Sequence, residues 1–113
     1  MCWSGGLTIC RKIAIMAEAY DLPVTPHGFL GPVVFAACVH HAVHMANCTY
    51  MEVIRPLHHN MYPAIVTEVP PLVDGHVHAL EGPGLGTELR GDFLEAEGTE
   101  VRTSALPAPA AGL

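Results

Sequence analysis

The stretch DLPVTPHGFLGP, residues 21–32, decides the fold of this chain. Its apolar run Leu22–Pro26 carries a proline near each end and is too short for a helix, so it predicts a strand. His27 follows at the carboxyl end of that strand, and a glycine turn separates it from Pro32, which is predicted to open a helix with Gly31 as its N-cap. α/β barrels keep their catalytic groups at this position, although a strand-end histidine taken alone is more often structural.

The segments around this stretch alternate between helical and extended patterns. Residues 7–20 repeat apolar side chains with a period near 3.6, which predicts an amphipathic helix. Residues 32–45 are apolar almost all round as far as Val39, which predicts a deeply buried helix. Residues 49–53 (TYMEV) form a second short strand with Glu52 near its end. The order helix, strand, helix, strand predicts an α/β fold with parallel strands.

The pattern weakens after Pro56. Residues 60–66 are predicted to form a short helix or turn, and residues 67–80 a pair of strands around the turn signal Asp74–Gly75. Residues 82–86 (GPGLG) read as a rigid loop. The Pro/Ala-rich residues 105–113 are predicted to be a disordered tail.

Composition excludes several classes of partner. The formal net charge is −6, from 5 basic and 11 acidic residues, which argues against nucleic acid and against an anionic membrane surface. The most apolar run, residues 29–39, is too short to span a membrane. The amino terminus lacks the basic and apolar regions of a signal peptide. The four cysteines form no CxxC pair and are predicted to be free thiols, which suits the cytoplasm.

Three segments together carry a resemblance: GGLTICRKIAIMAEAYDLPVTPHGFLGPV at 5–33, TYMEV at 49–53 and DGHVHALEGPGLGTEL at 74–89. They resemble the C-terminal part of the enolase superfamily, in its mandelate racemase/muconate lactonizing enzyme-like branch of acid-sugar dehydratases, with galactonate dehydratases as the nearest type. The resemblance implies an incomplete (β/α)7β TIM-like barrel over residues 1–56, comprising helix 6, strand 7, helix 7 and strand 8. Residues 57–104 would then be a C-terminal extension that precedes the tail.

The resemblance also assigns roles to particular residues. His27 matches the histidine that transfers a proton at the substrate, and imidazole suits this role because its pKa lies near neutrality. Glu52 matches the glutamate that hydrogen-bonds the enediolate intermediate. Gly28, Phe29 and Leu30 would shape the pocket for a sugar acid.

The family's Mg²⁺ ion and the ligands that hold it are a separate expectation. The resemblance places the three carboxylates that bind Mg²⁺, and the aspartate that orients the histidine, before Met1. We therefore expect this chain to bind no metal and to be inactive alone. We also expect it to self-associate through exposed barrel edges.

Two other functions remain open from the sequence. A racemase or epimerase of the same superfamily would use the same histidine without eliminating water. A non-catalytic, histidine-rich remnant could instead bind a partner or a metal, since His40 and His44 share a helix face at a spacing that can bind Zn²⁺. Histidines in such positions are more often simply polar surface residues.

Overall fold

The computed structural model describes residues 1–28 and 30–104, and two helices dominate it. A single 3-10 turn at Cys2–Ser4 precedes α1, Gly6–Glu18, and the second long helix is α2, Pro32–His44. These bounds confirm the helices predicted at 7–20 and 32–45. The predicted disordered tail, residues 105–113, lies outside the described residues.

Helix α2 begins where the sequence predicts. Gly31 is its N-cap and Pro32 its first residue, where the missing proline N–H costs no helical hydrogen bond. The amide of Phe35 donates to the carbonyl of Gly31 over 2.9 Å, which closes the first turn. His41 and His44 lie in the last turn.

The two predicted parallel strands are not regular strands in the structure. Within the described residues, segments 22–26 and 49–53 are extended chain. One backbone hydrogen bond joins them, and a second joins segment 22–26 to the turn residue Asn47 just before 49–53. The amide of Val24 donates to Asn47 at 3.0 Å, and that of Glu52 to Pro26 at 3.5 Å. Both bonds advance along both segments, so the segments run in the same direction as predicted. Pro26 faces segment 49–53 but has no N–H to donate, which interrupts a regular ladder between the two segments.

The C-terminal part folds back along the chain in short elements. A π-helical turn at Leu57–Met61 leads into α3, Tyr62–Ile65, which confirms the short helix or turn predicted at residues 60–66. Strands β1, Leu72–Val73, and β2, His76–Val77, then pair antiparallel. Asp74 and Gly75 join them with φ values of 49° and 77°, a geometry suited to an Asp-Gly hairpin turn, so the predicted strand pair is confirmed. Helix α4 spans Gly91–Leu94.

The core lies between α2 and the C-terminal part. Phe35 and Val39 of α2 are buried against Tyr62 of α3, and residues of the hairpin region pack around them. Helix α1 contacts α2, but Ala14 is its only buried residue. Ile13 and Met16 of α1 stay 44% and 62% exposed. The apolar side of α1 is therefore largely uncovered. No helix in the described part of the chain is long and apolar enough to cross a membrane.

Candidate active site

The structure brings His27 and Glu52 into direct contact. Nδ1 of His27 pairs with Oε2 of Glu52, although the two residues are 25 positions apart in the sequence. Both lie at the carboxyl ends of the two extended segments, and the hydrogen bond from the Glu52 amide to Pro26 aligns those ends. Their side chains are 57% and 51% exposed, so a small molecule has access to the pair.

The contact defines the chemistry available to His27. A carboxylate on Nδ1 fixes the orientation and tautomer of an imidazole, and proton exchange then proceeds through Nε2. The resemblance gives Glu52 a hydrogen bond to the intermediate, and the structure brings its Oε2 to the histidine ring. From this position a carboxylate can also orient the imidazole.

The loop after His27 rests on helix α2. Gly28 is buried, and a Cβ built on it would lie 2.9 Å from Sγ of Cys38 and 3.2 Å from its Cβ. The loop approaches the helix this closely because glycine has no side chain. Leu30 is 50% exposed, and Phe29 lies outside the described residues. The placement of His27 therefore depends on small residues at both sides of this contact.

A cavity of about 420 Å³ adjoins His27. Ile13 and Ala14 of α1, Val34 of α2, and the segment from Val24 to His27 line it. His41 of α2 also lines this cavity and is itself only 7% exposed. Burial, with the nearby His44 and amino terminus, lowers the pKa of His41. Burial raises the pKa of the Cys38 thiol on the same helix.

The family model described as "Enolase C-terminal domain-like" matches residues 1–93 of this chain. The chain belongs to that family. Its fold is the C-terminal part of the (β/α)7β barrel, so α1 and α2 correspond to barrel helices and the segments 22–26 and 49–53 to barrel strand positions.

Individual relatives agree with this assignment to the enolase family. The chain is 36% identical to a D-galactonate dehydratase of Pectobacterium atrosepticum and 41% identical to one of Xanthomonas campestris pv. campestris. These matches cover 80% and 81% of this chain but 25% of each relative. The chain therefore spans about a quarter of the length of these enzymes.

Solved enolase-family structures show the same likeness. One is an enolase of the mandelate racemase subgroup from Agrobacterium tumefaciens, 42% identical, with a TM-score of 0.75 over 80% of this chain and 24% of that one. Another is an enolase protein from the environmental genome shotgun sequencing of the Sargasso Sea. It is 37% identical, with a TM-score of 0.82 over 94% of this chain and 28% of that one.

Two of the histidines of α2 in this enolase-family chain, His40 and His44, have partners unrelated to a metal. Nε2 of His40 lies 3.1 Å from the carbonyl of Leu85, which ties α2 to the GPGLG loop. Nε2 of His44 accepts a hydrogen bond from Nε of Arg11 at 3.4 Å. Among residues 1–28 and 30–104, no group of three or more His, Cys, Asp or Glu side chains could hold a metal ion. The described residues therefore do not fit the Mg²⁺ ion that enolase-superfamily members typically use.

Sequence reasoning missed Asn47, which joins the elements that carry the site. Its Nδ2 donates to the carbonyls of Ala14 in α1 and Leu22 in the extended segment, each at 3.0 Å. Its backbone carbonyl accepts from Val24. An asparagine just after a helix is a weak signal for a turn, and nothing in the local sequence indicates these distant partners.

Proposed function

We propose that this chain carries the His27–Glu52 part of the active site of an acid-sugar dehydratase. The single observation that carries the proposal is the contact between Nδ1 of His27 and Glu52 at the ends of two parallel-running segments. Family membership adds support, because that edge of an α/β barrel is where catalytic groups lie. The names of two relatives point to D-galactonate, or a sugar acid like it, as the substrate.

The proposed reaction removes the proton α to a carboxylate and then eliminates the β-hydroxyl as water. The electron pair of the broken C–H bond is first held on the carboxylate as an anionic intermediate, and it forms the C=C bond when the C–O bond breaks and the departing hydroxyl takes up a proton. The resulting enol becomes a 2-keto-3-deoxy acid. His27 moves a proton through Nε2, either from the α carbon or to the departing hydroxyl. Glu52 holds the imidazole and, when protonated, can donate to the anionic intermediate.

The complete reaction would need residues that this chain does not supply. The Mg²⁺ ion of the parent enzyme would have to be held elsewhere, since the described residues offer no cluster for it. We therefore propose that the chain is inactive alone. The four cysteines are all free, which supports a reducing compartment such as the cytoplasm.

The test is a graft. Residues 1–113 replace the matching segment of the Pectobacterium D-galactonate dehydratase, and turnover of D-galactonate is measured. His27→Asn keeps the approximate shape but cannot titrate, so we expect turnover to fall by a factor of ~10²–10⁴. Glu52→Gln should reduce turnover less than Glu52→Ala, because the amide still hydrogen-bonds to the ring. His78→Asn, at an exposed histidine of the C-terminal part, is the matched control and should leave turnover unchanged.

The same chimeric enzyme distinguishes the proposed dehydratase role from the two alternative functions. If His27→Asn retains turnover within a few-fold of the parent graft, the assigned role is wrong. A racemase or epimerase would exchange the α proton for deuterium in D₂O without forming the 2-keto-3-deoxy acid. A histidine-rich binding module would show no dependence on His27 in either assay.

A further inference from the structure

The turn residue Asn47 pairs with segment 22–26 through its backbone and through its side chain. Its backbone carbonyl accepts from the N–H of Val24 at 3.0 Å, and its Nδ2 donates to the carbonyl of Leu22 at 3.0 Å. In a parallel sheet, a residue donates to the residue before its partner and accepts from the residue after it. Asn47 does the same on either side of Pro23, with a side-chain N–H in place of a backbone one.

The same side chain ties this pairing to helix α1. Nδ2 of Asn47 also donates to the carbonyl of Ala14 at 3.0 Å, and Ala14 is only 1% exposed. Both partners of the amide are carbonyls, so its nitrogen must face them, and its buried Oδ1 has no hydrogen-bond partner among the described residues. A carboxylate of the same shape has no N–H to donate. The position therefore requires a donor and not merely a polar side chain.

Few other bonds hold together the two segments that carry the site. Within the described residues, the bond from the Glu52 amide to Pro26, at 3.5 Å, is the remaining backbone hydrogen bond between segments 22–26 and 49–53. The side chains of His27 and Glu52 are 57% and 51% exposed, so little packing fixes them. The contact between them therefore depends on which residues of the two segments face each other.

Asn47 sets that register from the opposite end of the segments. Its bonds lie at Leu22 and Val24, where the chain enters the extended segment, whereas His27 follows the last residue of that segment. We propose that Asn47 is a positioning residue, which holds the beginnings of the two segments in register so that His27 and Glu52 meet at their carboxyl ends. This role rests on the function proposed above for the pair, and Asn47 acts only through the pair.

The first experiment observes the pair by NMR, without turnover. The full chain is labelled with ¹⁵N-histidine and measured at a pH where the imidazole is neutral. A carboxylate on Nδ1 holds the proton there, so His27 should show a protonated Nδ1 and an unprotonated Nε2. The spectrum of His27→Asn identifies its signals among those of the 8 histidines. Asn47→Asp keeps the size of the side chain but removes the donor, so we expect the His27 signals to move to the average of two interconverting tautomers.

A control variant separates positioning from stability. Val66→Ala removes buried side-chain atoms outside both segments, and it should destabilise the fold to a similar degree. It should leave the His27 signals unchanged. If Asn47→Asp does not fold, Asn47→Ala removes the donor without burying a charge and is measured in the same way.

Turnover of the chimeric dehydratase gives a second readout. Asn47→Asp should lower kcat on the order of 10–100-fold and leave KM within a few-fold, because a small displacement of the proton-transferring group slows the chemical step. Val66→Ala, measured well below its Tm, should change neither constant.

Three results would overturn this role. Asn47→Asp would leave the His27 signals as in the native chain, or Val66→Ala would shift them as much. A loss of kcat no greater than in Val66→Ala would likewise show that Asn47 serves stability alone. Failure of the proposed function gives a different result, since His27→Asn would then keep its turnover while Asn47→Asp still altered the His27 signals.

Discussion

Replacing Gly28 by alanine tests whether the contact with α2 positions the loop that carries His27. The new Cβ would lie 2.9 Å from Sγ of Cys38, closer than real Cβ contacts come, and 3.2 Å from the Cβ of Cys38, which is tighter than most. Cys38 is fully buried on a helix, so it has little room to move. Gly28 is not among the residues with positive φ, and the cost is therefore steric.

The expected loss of stability follows from that overlap. Overpacking of one methyl group in a tight core costs about 1–3 kcal/mol. For a domain of this size, each kcal/mol lowers Tm by roughly 4–8 °C. The assay is urea denaturation of the full chain followed by circular dichroism. Gly91→Ala is the matched control, because a Cβ at Gly91 meets nothing within 4 Å and its φ is not positive. It should cost much less than Gly28→Ala.

A second substitution identifies the partner. Cys38→Ala removes Sγ, the nearest atom, while the Cβ contact at 3.2 Å remains, so rescue of Gly28→Ala should be partial. We expect a coupling free energy of about 1 kcal/mol in the double-mutant cycle. The reasoning is refuted if Gly28→Ala costs the same with Cys38 or Ala at position 38, or no more than Gly91→Ala.

Two other sites give predictions of stability. Asn47→Ala leaves the carbonyls of Ala14 and Leu22 without their side-chain donor, and should lower the unfolding free energy by about 1–3 kcal/mol in urea titrations. The exposed Asn60→Ala is the control, and an equal loss there would contradict the assignment. Burial lowers the pKa of His41, so the unfolded chain binds the extra proton and stability should fall as pH drops below the ordinary histidine pKa of about 6.5. Urea midpoints between pH 7.5 and 5.5 should show this fall, and His41→Phe should flatten it. A slope unchanged in His41→Phe would assign the effect elsewhere.

The local sequence correctly predicts the features of the fold that depend only on neighbouring residues. The Gly31–Pro32 pair marks the start of α2 because proline suits the first turn, and Asp74–Gly75 marks the hairpin because both residues adopt positive φ. Pro26 also indicates that segment 22–26 cannot form a regular ladder with segment 49–53, because proline has no N–H to donate. The apolar pattern of segment 22–26 predicts a strand, because that pattern takes no account of which residues lack a backbone N–H.

The features that the sequence does not predict depend on contacts between distant residues. The resemblance names His27 and Glu52, but the direct contact between them spans 25 positions. The contact between Gly28 and Cys38 joins a loop to the middle of a helix. The local sequence suggests that Gly28 is present for its conformational freedom. In the structure it is present because the loop lies too close to Cys38 of α2 for a side chain.

The distribution of burial differs between the two helices that line the cavity beside His27. The core is built on the side of α2 that faces Tyr62, so the C-terminal part stabilises α2 and, through Cys38, the loop of His27. Helix α1 has no equivalent cover, since Ala14 is its only buried residue. The wall of the cavity formed by α2 is therefore supported by the core, whereas the wall formed by α1 is largely exposed to water.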